Sequence, residues 1–180
     1  MAARARISPV YLIADSRERG VIPFLETALR DHAFVVRQVT TADYLVCRRA
    51  PGPAAEPAVL AAVERKTLAD FAASFKDGRY ANVQKMRALR AATGCQLYFF
   101  VEGPAFPSPG RRFARIPYAS ILAAVTKLMV RDGVHVVQTE DEAHTAKRLA
   151  DFLRVFETEA PYAGGGGPPA AGEYFSAARP

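Results

Sequence analysis

The chain has 180 residues; 50% are apolar, 10% aromatic and 23% charged. This excludes a disordered chain, and the length suits one domain better than two. The formal charge is +6, and because the last 22 residues carry only Glu159, Glu173 and Arg179, residues 1–158 hold +7, a balance that favours phosphate-rich partners.

The first strand is VYLIA (10–14), five apolar residues ended by Asp15. Residues 21–32 fit a helix with Phe24, Leu25, Ala28 and Leu29 on one face. FVVRQV (34–39) reads as a strand, and DYLVC (43–47) follows so soon that the two suggest a hairpin. RRAPGPAAEPA (48–58), with its prolines and glycine, reads as a mobile hairpin tip, and VLAAVERK (59–66) as the returning strand. Thr67-x-x-Asp70 resembles a capping box at the start of a helix. A second helix covers 79–92 and stops at Gly94. QLYFFV (96–101) is a strongly apolar strand expected near the sheet centre, followed by a long loop over 103–116. Helix 117–131 carries Tyr118, Ile121, Leu122, Val125, Leu128 and Met129 in one stripe. A strand at 134–137 and a helix at 141–157 complete the domain, and the Gly/Pro/Ala-rich residues 159–180 read as a flexible tail. Strands alternating with helices indicate an α/β domain with an antiparallel meander inside it.

Cys47 and Cys95 make no disulfide framework, so a reducing, intracellular compartment is expected. His32, His135 and His144 lack metal-ligand spacing. No apolar run approaches the roughly 18 residues of a spanning helix, so no membrane is expected. The start, MAARARISPVYLIADSRE, is too short in apolar residues for a secretory core.

Chemistry concentrates at Glu64-Arg65-Lys66, with Asp70 four residues on and Asp43 upstream. Strand alternation turns Glu64 and Lys66 to one face. If the 43–66 hairpin is in register, Asp43 comes within metal-bridging reach of Glu64, and Asp15 approaches from the side. Clustered carboxylates repel one another, and at least one should hold its proton more tightly. With Mg²⁺, or Mn²⁺ in its place, they become hard oxygen ligands that lower the pKa of bound water and offset phosphodiester charge. A solvated strand end, a turn residue at Asp43 and a plain helix cap at Asp70 are the ordinary alternatives.

VERKTLADFAASFKDGRYANVQKMRAL resembles the core of the XPF-type structure-specific endonucleases, with their GDx(n)ERKxxxD signature. DGRYANVQKMRAL is similar to the DGR-x-x-x-Q-x-x-R-L run of the crossover-junction branch, and LIADSRERG to the family's first strand. The resemblance covers residues 8–157. It implies a restriction-endonuclease-like mixed sheet flanked by helices, with a nuclease domain over residues 1–158. It also implies a divalent-metal-dependent endonuclease that cuts branched DNA (flaps, forks, Holliday-type junctions) in repair or recombination.

By position, Asp15, Asp43 and Glu64 are then metal ligands. Arg65 sits near the scissile phosphate, Lys66 is the catalytic lysine, and Asp70 completes the acidic cluster or holds Lys66. Arg17 and Glu18 match the family's RE pair. Arg17, Arg79, Gln84, Lys85, Arg111 and Arg112 are expected near DNA; for the helix and loop basic residues, solvated side chains remain the alternative. The glycine before the second aspartate is Ala42 here, and no tandem helix-hairpin-helix motifs follow. Such a compact nuclease suits a large DNA virus or a phage, and in a eukaryotic host it implies the nucleus. The wide apolar arc of the last helix, where Phe152 and Val155 extend the stripe Ala146, Leu149, Ala150, Leu153 and Phe156, implies a homodimer or heterodimer through that helix. The alternative function is a non-catalytic DNA-binding partner subunit or scaffold.

Overall fold

The computed structural model describes residues 8–29, 33–50, 56–76 and 81–158. Its chain order is β1 (Val10–Asp15), α1 (Ile22–Ala28), β2 (Ala33–Arg37), β3 (Tyr44–Arg48), β4 (Ala58–Thr67), α2 (Leu68–Lys76), α3 (Ala81–Thr93), β5 (Gln96–Glu102), β6 (Arg112–Phe113), β7 (Ile116–Pro117), α4 (Tyr118–Asp132), β8 (His135–Thr139) and α5 (Glu142–Thr158). Six strands form one mixed sheet in the order β2-β1-β3-β4-β5-β8. The expected α/β class with helices on both faces is what the molecule has.

Two strand placements differ from the sequence reading. β2 and β3 do not form a hairpin, because β1 lies between them, parallel to β2 and antiparallel to β3. The β1-α1-β2 crossover puts β2 on the sheet edge. Residues 38–43 then carry the chain back across the end of β1, which sets Asp43 beside Asp15: the Asp15 N–H donates to the Asp43 carbonyl at 2.8 Å. β5 is second from the edge, flanked by β4 and β8, while β3 and β4 hold the middle. The antiparallel β3–β4 pair keeps the expected register, Tyr44 opposite Val63. Residues 51–55 of its proposed tip lie outside the described residues.

Period-two alternation divides the core into two layers. Val10, Leu12, Ala14, Tyr44, Val46, Ala61, Val63 and Phe100 face α1 and α5, where they meet Leu25, Leu149 and Leu153. Ala62, Leu97, Phe99 and Val101 face α2, α3 and α4, where they meet Phe71, Met86, Ile121 and Leu128. Burying a side chain such as Leu153 stabilises by about 2 kcal/mol. Helix α4 is narrower in its buried stripe than expected: Leu122 and Met129 are exposed, and Ala124 is buried instead. Phe24 of α1 is likewise exposed. Gly94 (φ +74°) ends α3 by donating to the Arg90 carbonyl at 2.7 Å, as expected of a C′ glycine.

The α5 stripe is buried as expected. Phe152, assigned to a surplus face, instead packs edge-on against Tyr98 and Phe100, with ring centroids 4.7 and 5.5 Å away. The helix beside α5 is α1; α4, expected as its neighbour, packs on the opposite face of the sheet. Val155 remains exposed. Among the described residues, no helix is long and apolar enough to cross a membrane.

Candidate functional site

Three acids lie side by side on neighbouring strands: Asp15 ends β1, Asp43 leads into β3, and Glu64 sits in β4 just past its ladder with β3. Asp15 follows Ala14 and Asp43 precedes Tyr44, its ladder partner, while Glu64 follows Val63, the partner of Tyr44 on the other side. Their side chains share the face covered by α2, α3 and α4, since Ala14, Tyr44 and Val63 belong to the other layer. The Asp43–Glu64 part of this geometry comes from strand alternation and the β3–β4 register, both legible in the sequence; the β1–β3 pairing that adds Asp15 was not.

The three acids are not equivalent. Asp15 is fully buried and already saturated. Its carboxylate accepts from the Arg17 N–H at 2.8 Å, from Arg17 Nε and Nη2 at 2.7 and 3.0 Å, and from the Val39 N–H at 2.7 Å. The Arg17 guanidinium above all holds its pKa at about 2, against the cost of burial. Asp43 and Glu64 behave in the opposite way. Burial pushes Asp43 up to about 6, with the charges of Glu18 and Asp15 adding to it, although its Oδ2 accepts the Arg65 N–H at 2.8 Å. Burial and the neighbouring Asp43 push Glu64 up to about 7, opposed by the Asn82 amide and by Lys66. Glu64 is only 3% exposed.

Asp43 and Glu64 line a cleft of about 210 Å³ together with Arg17, Thr41, Asn82 and Lys85. Asn82, on the first turn of α3, donates its side-chain amide to Glu64 Oε1. It was not anticipated. The available signal was a polar residue one turn before Met86 on the buried face of the helix. Lys85, anticipated near DNA, is in the cleft wall.

Other anticipated residues lie elsewhere. Arg65 is turned to the opposite face of the sheet, because it alternates with Glu64 and Lys66. There it meets Glu102 at 2.5 Å and Glu18 at 3.2 Å. Asp70 is exposed and joins neither the acids nor Lys66. Thr67 Oγ1 donates to its carboxylate at 2.7 Å and accepts its N–H at 3.1 Å, so it folds back on the helix cap. Gln84, Arg87 and Arg90 line a separate hollow on α3. Arg111 stacks over Phe113 at 5.3 Å, and Arg112 donates to the Arg115 carbonyl at 2.9 Å, both on the exposed β6–β7 hairpin. Arg79 lies outside the described residues.

Among the described residues, no three His, Cys, Asp or Glu side chains gather to hold a metal. Of the three anticipated ligands, Asp15 is engaged by Arg17, while no guanidinium of a described residue is bonded to Asp43 or Glu64. Two carboxylates still suit Mg²⁺, which is commonly held by one or two carboxylates with water completing the shell. Crowded carboxylates with raised pKa values and no guanidinium of their own are also the chemistry a cation relieves.

Comparison with known proteins agrees with this architecture. African swine fever virus has ERCC4 domain-containing proteins, named EP364R, that resemble the chain. The Pretoriuskop tick isolate's protein is 48% identical over 159 residues, covering 83% of this chain and 42% of its own length. The Badajoz strain's is 47% identical over 160 residues, with the same coverage. The chain therefore spans about four tenths of the length of these relatives. Among solved structures, XPF from Aeropyrum pernix in complex with DNA superposes with a TM-score of 0.57 at 26% identity, over 81% of this chain and 64% of that one. The same protein without DNA gives 0.58 at 25% identity, over 82% and 65%. A family model described as the ERCC4 domain matches residues 14–152, and the chain belongs to that family.

Proposed function

We propose that this ERCC4 domain is a divalent-metal-dependent endonuclease acting on branched DNA in repair or recombination. The observation that carries the reading is the Asp43–Glu64 pair, half-buried and buried respectively, lining one open cleft with its pKa values raised. Asp43 and Glu64 would hold Mg²⁺, or Mn²⁺ in its place. The ion would supply an activated water and offset charge on the phosphodiester. Asn82 orients the Glu64 carboxylate. Lys66 is the proposed catalytic lysine, an ammonium on the Glu64 side of β4 suited to stabilising the phosphate as charge builds on it. Lys85 in the cleft wall and the exposed Arg17 would meet DNA phosphates. Arg111, Arg112 and Gln84 are proposed as further backbone contacts. The nuclease unit is assigned to residues 1–158.

Support comes from family membership, from the likeness to an XPF solved with DNA, and from the +7 charge of residues 1–158. The test is a cleavage panel of flap, fork, nicked and four-way junctions with Mg²⁺, using this chain alone. Cutting should require the ion and vanish in Asp43→Asn and Glu64→Gln, while DNA binding persists. Absence of divalent-dependent cutting on every branched substrate refutes the enzyme reading.

A second reading is a non-catalytic DNA-binding partner subunit. It is favoured by the saturation of Asp15 with Arg17. Under it, removing Asp43 or Glu64 leaves all function unchanged. A homodimer or heterodimer through α5 is the finer partner proposal, resting on exposed Val155. A sedimentation mass of one chain at micromolar concentration contradicts the homodimer.

A further inference from the structure

Each acid of the cleft pair has a sequence neighbour whose side chain passes to the opposite face of the sheet. Tyr44 follows Asp43, and Arg65 follows Glu64. On that far face both are tied to one carboxylate. Tyr44 Oη donates to Glu18 Oε2 at 2.7 Å, and Arg65 Nη1 lies 3.2 Å from the same oxygen. Glu102 takes the rest of the guanidinium, with Arg65 Nε and Nη2 donating to its two oxygens at 2.8 and 2.5 Å. Thr145 of α5 donates to Glu102 Oε2 at 2.8 Å and meets Thr139 Oγ1 at 2.8 Å. Glu102 is 6% exposed, and Tyr44, Thr139 and Thr145 are fully buried.

This network has a direct connection to the cleft. The ladder between β3 and β4 stops at Tyr44 opposite Val63. Beyond it, the Arg65 N–H donates to the Asp43 carboxylate at 2.8 Å. One residue therefore fastens both faces: its main chain holds Asp43 in the cleft, and its side chain is clamped behind the sheet. A bidentate guanidinium–carboxylate pair fixes orientation as well as distance. Both clamps act where the β3–β4 ladder gives out: past the Asp43 N–H bond to the Val63 carbonyl at 3.1 Å, β4 runs on beside β5 alone.

We infer that Glu102 and Glu18 are positioning residues for the Asp43–Glu64 pair, acting through Arg65 and Tyr44. Neither touches the cleft. Their effect is to hold the ends of β3 and β4 in the relative position that brings the two cleft carboxylates onto one ion. The inference rests on the metal-site reading given above.

The test compares the full chain with Glu102→Gln and with Tyr44→Phe, which removes a single hydroxyl and is the milder change. Three quantities are read: Mn²⁺ affinity by electron paramagnetic resonance, hydrogen exchange of the Arg65 amide by NMR, and kcat and KM on a flap substrate. The expected result for Glu102→Gln is a roughly tenfold loss of Mn²⁺ affinity, a matching fall in kcat with KM unchanged, and faster exchange at Arg65. Tyr44→Phe should move the same quantities in the same direction by less. Glu102→Asp should recover part of the loss. Wild-type Mn²⁺ affinity and Arg65 exchange in both variants, with only the melting temperature lowered, overturn the inference and leave a structural network. If the unmutated chain binds Mn²⁺ but cuts nothing, the nuclease reading fails while affinity and exchange still decide the positioning role. If it binds no Mn²⁺, both fall.

Discussion

Two neighbouring strands carry buried carboxylates on opposite faces of the sheet, Glu64 on β4 and Glu102 at the end of β5, and the two have opposite fates. Glu102, beside β4 on the far face, is 6% exposed and meets a full guanidinium. Glu64, on the cleft face, is 3% exposed and receives one side-chain amide. Burial is the same, so the partner makes the difference. Arg65 neutralises its neighbours and ties α5 to the sheet through Glu102 and Thr145. Glu64 and Asp43 are left repelling each other with raised pKa values. A buried carboxylate whose nearby cations do not offset its burial marks where an external cation is wanted.

The largest expected effect breaks the cleft side. Glu64→Gln and Asp43→Asn should each lower single-turnover cutting of a labelled flap by at least about 100-fold, on the scale of losing a principal electrostatic group. Neither should destabilise the metal-free protein. Arg65→Ala breaks the other face. It strands Glu102 and should cost about 3–5 kcal/mol in urea unfolding. Lys66→Ala sharpens the contrast: it should abolish cutting with stability changed by no more than about 0.5 kcal/mol.

The acids of the cleft face should also separate among themselves by pH. Asp43 and Glu64 bind protons more tightly in the folded protein, at about 6 and 7, than the ordinary values of 3.8 and 4.5. The folded state then holds more protons than the unfolded state between about pH 4 and 7, so stability falls as pH rises through that window. The loss is roughly 3 kcal/mol for each acid, measured by urea unfolding with a chelator, and Glu64→Gln should remove its own share. Asp15 has the reverse sign: at about 2 its contribution is present above its unfolded value of 3.8 and is lost as pH falls toward 2. The smallest effect is at the edge of the site. Asp70→Ala should cost about 1 kcal/mol through the cap and leave cutting intact.

Alternation and register made much of this legible before the fold was known. Asp15, Asp43, Glu64 and Lys66 could be assigned to one face, because period two is a property of any strand. Arg65 was exposed to the same logic, which sends it behind the sheet; the family resemblance drew it to the phosphate instead. Asp15 escaped because saturation by Arg17 and the Val39 amide depends on how residues 38–43 cross β1, a tertiary event. The β2–β3 hairpin failed for the same cause: closeness in sequence does not reveal a strand inserted between. Phe152 looked surplus because its partners, Tyr98 and Phe100, lie some fifty residues upstream. Glu102 carried no local sign beyond an acid ending an apolar strand.

Mn²⁺ titration of the intact chain at pH 7.5, followed by electron paramagnetic resonance beside Glu64→Gln, tests the central claim most directly. One bound ion in the parent chain, lost in the variant, is the predicted result. No bound ion in the parent, or the same affinity in both, contradicts a metal centre on Asp43 and Glu64.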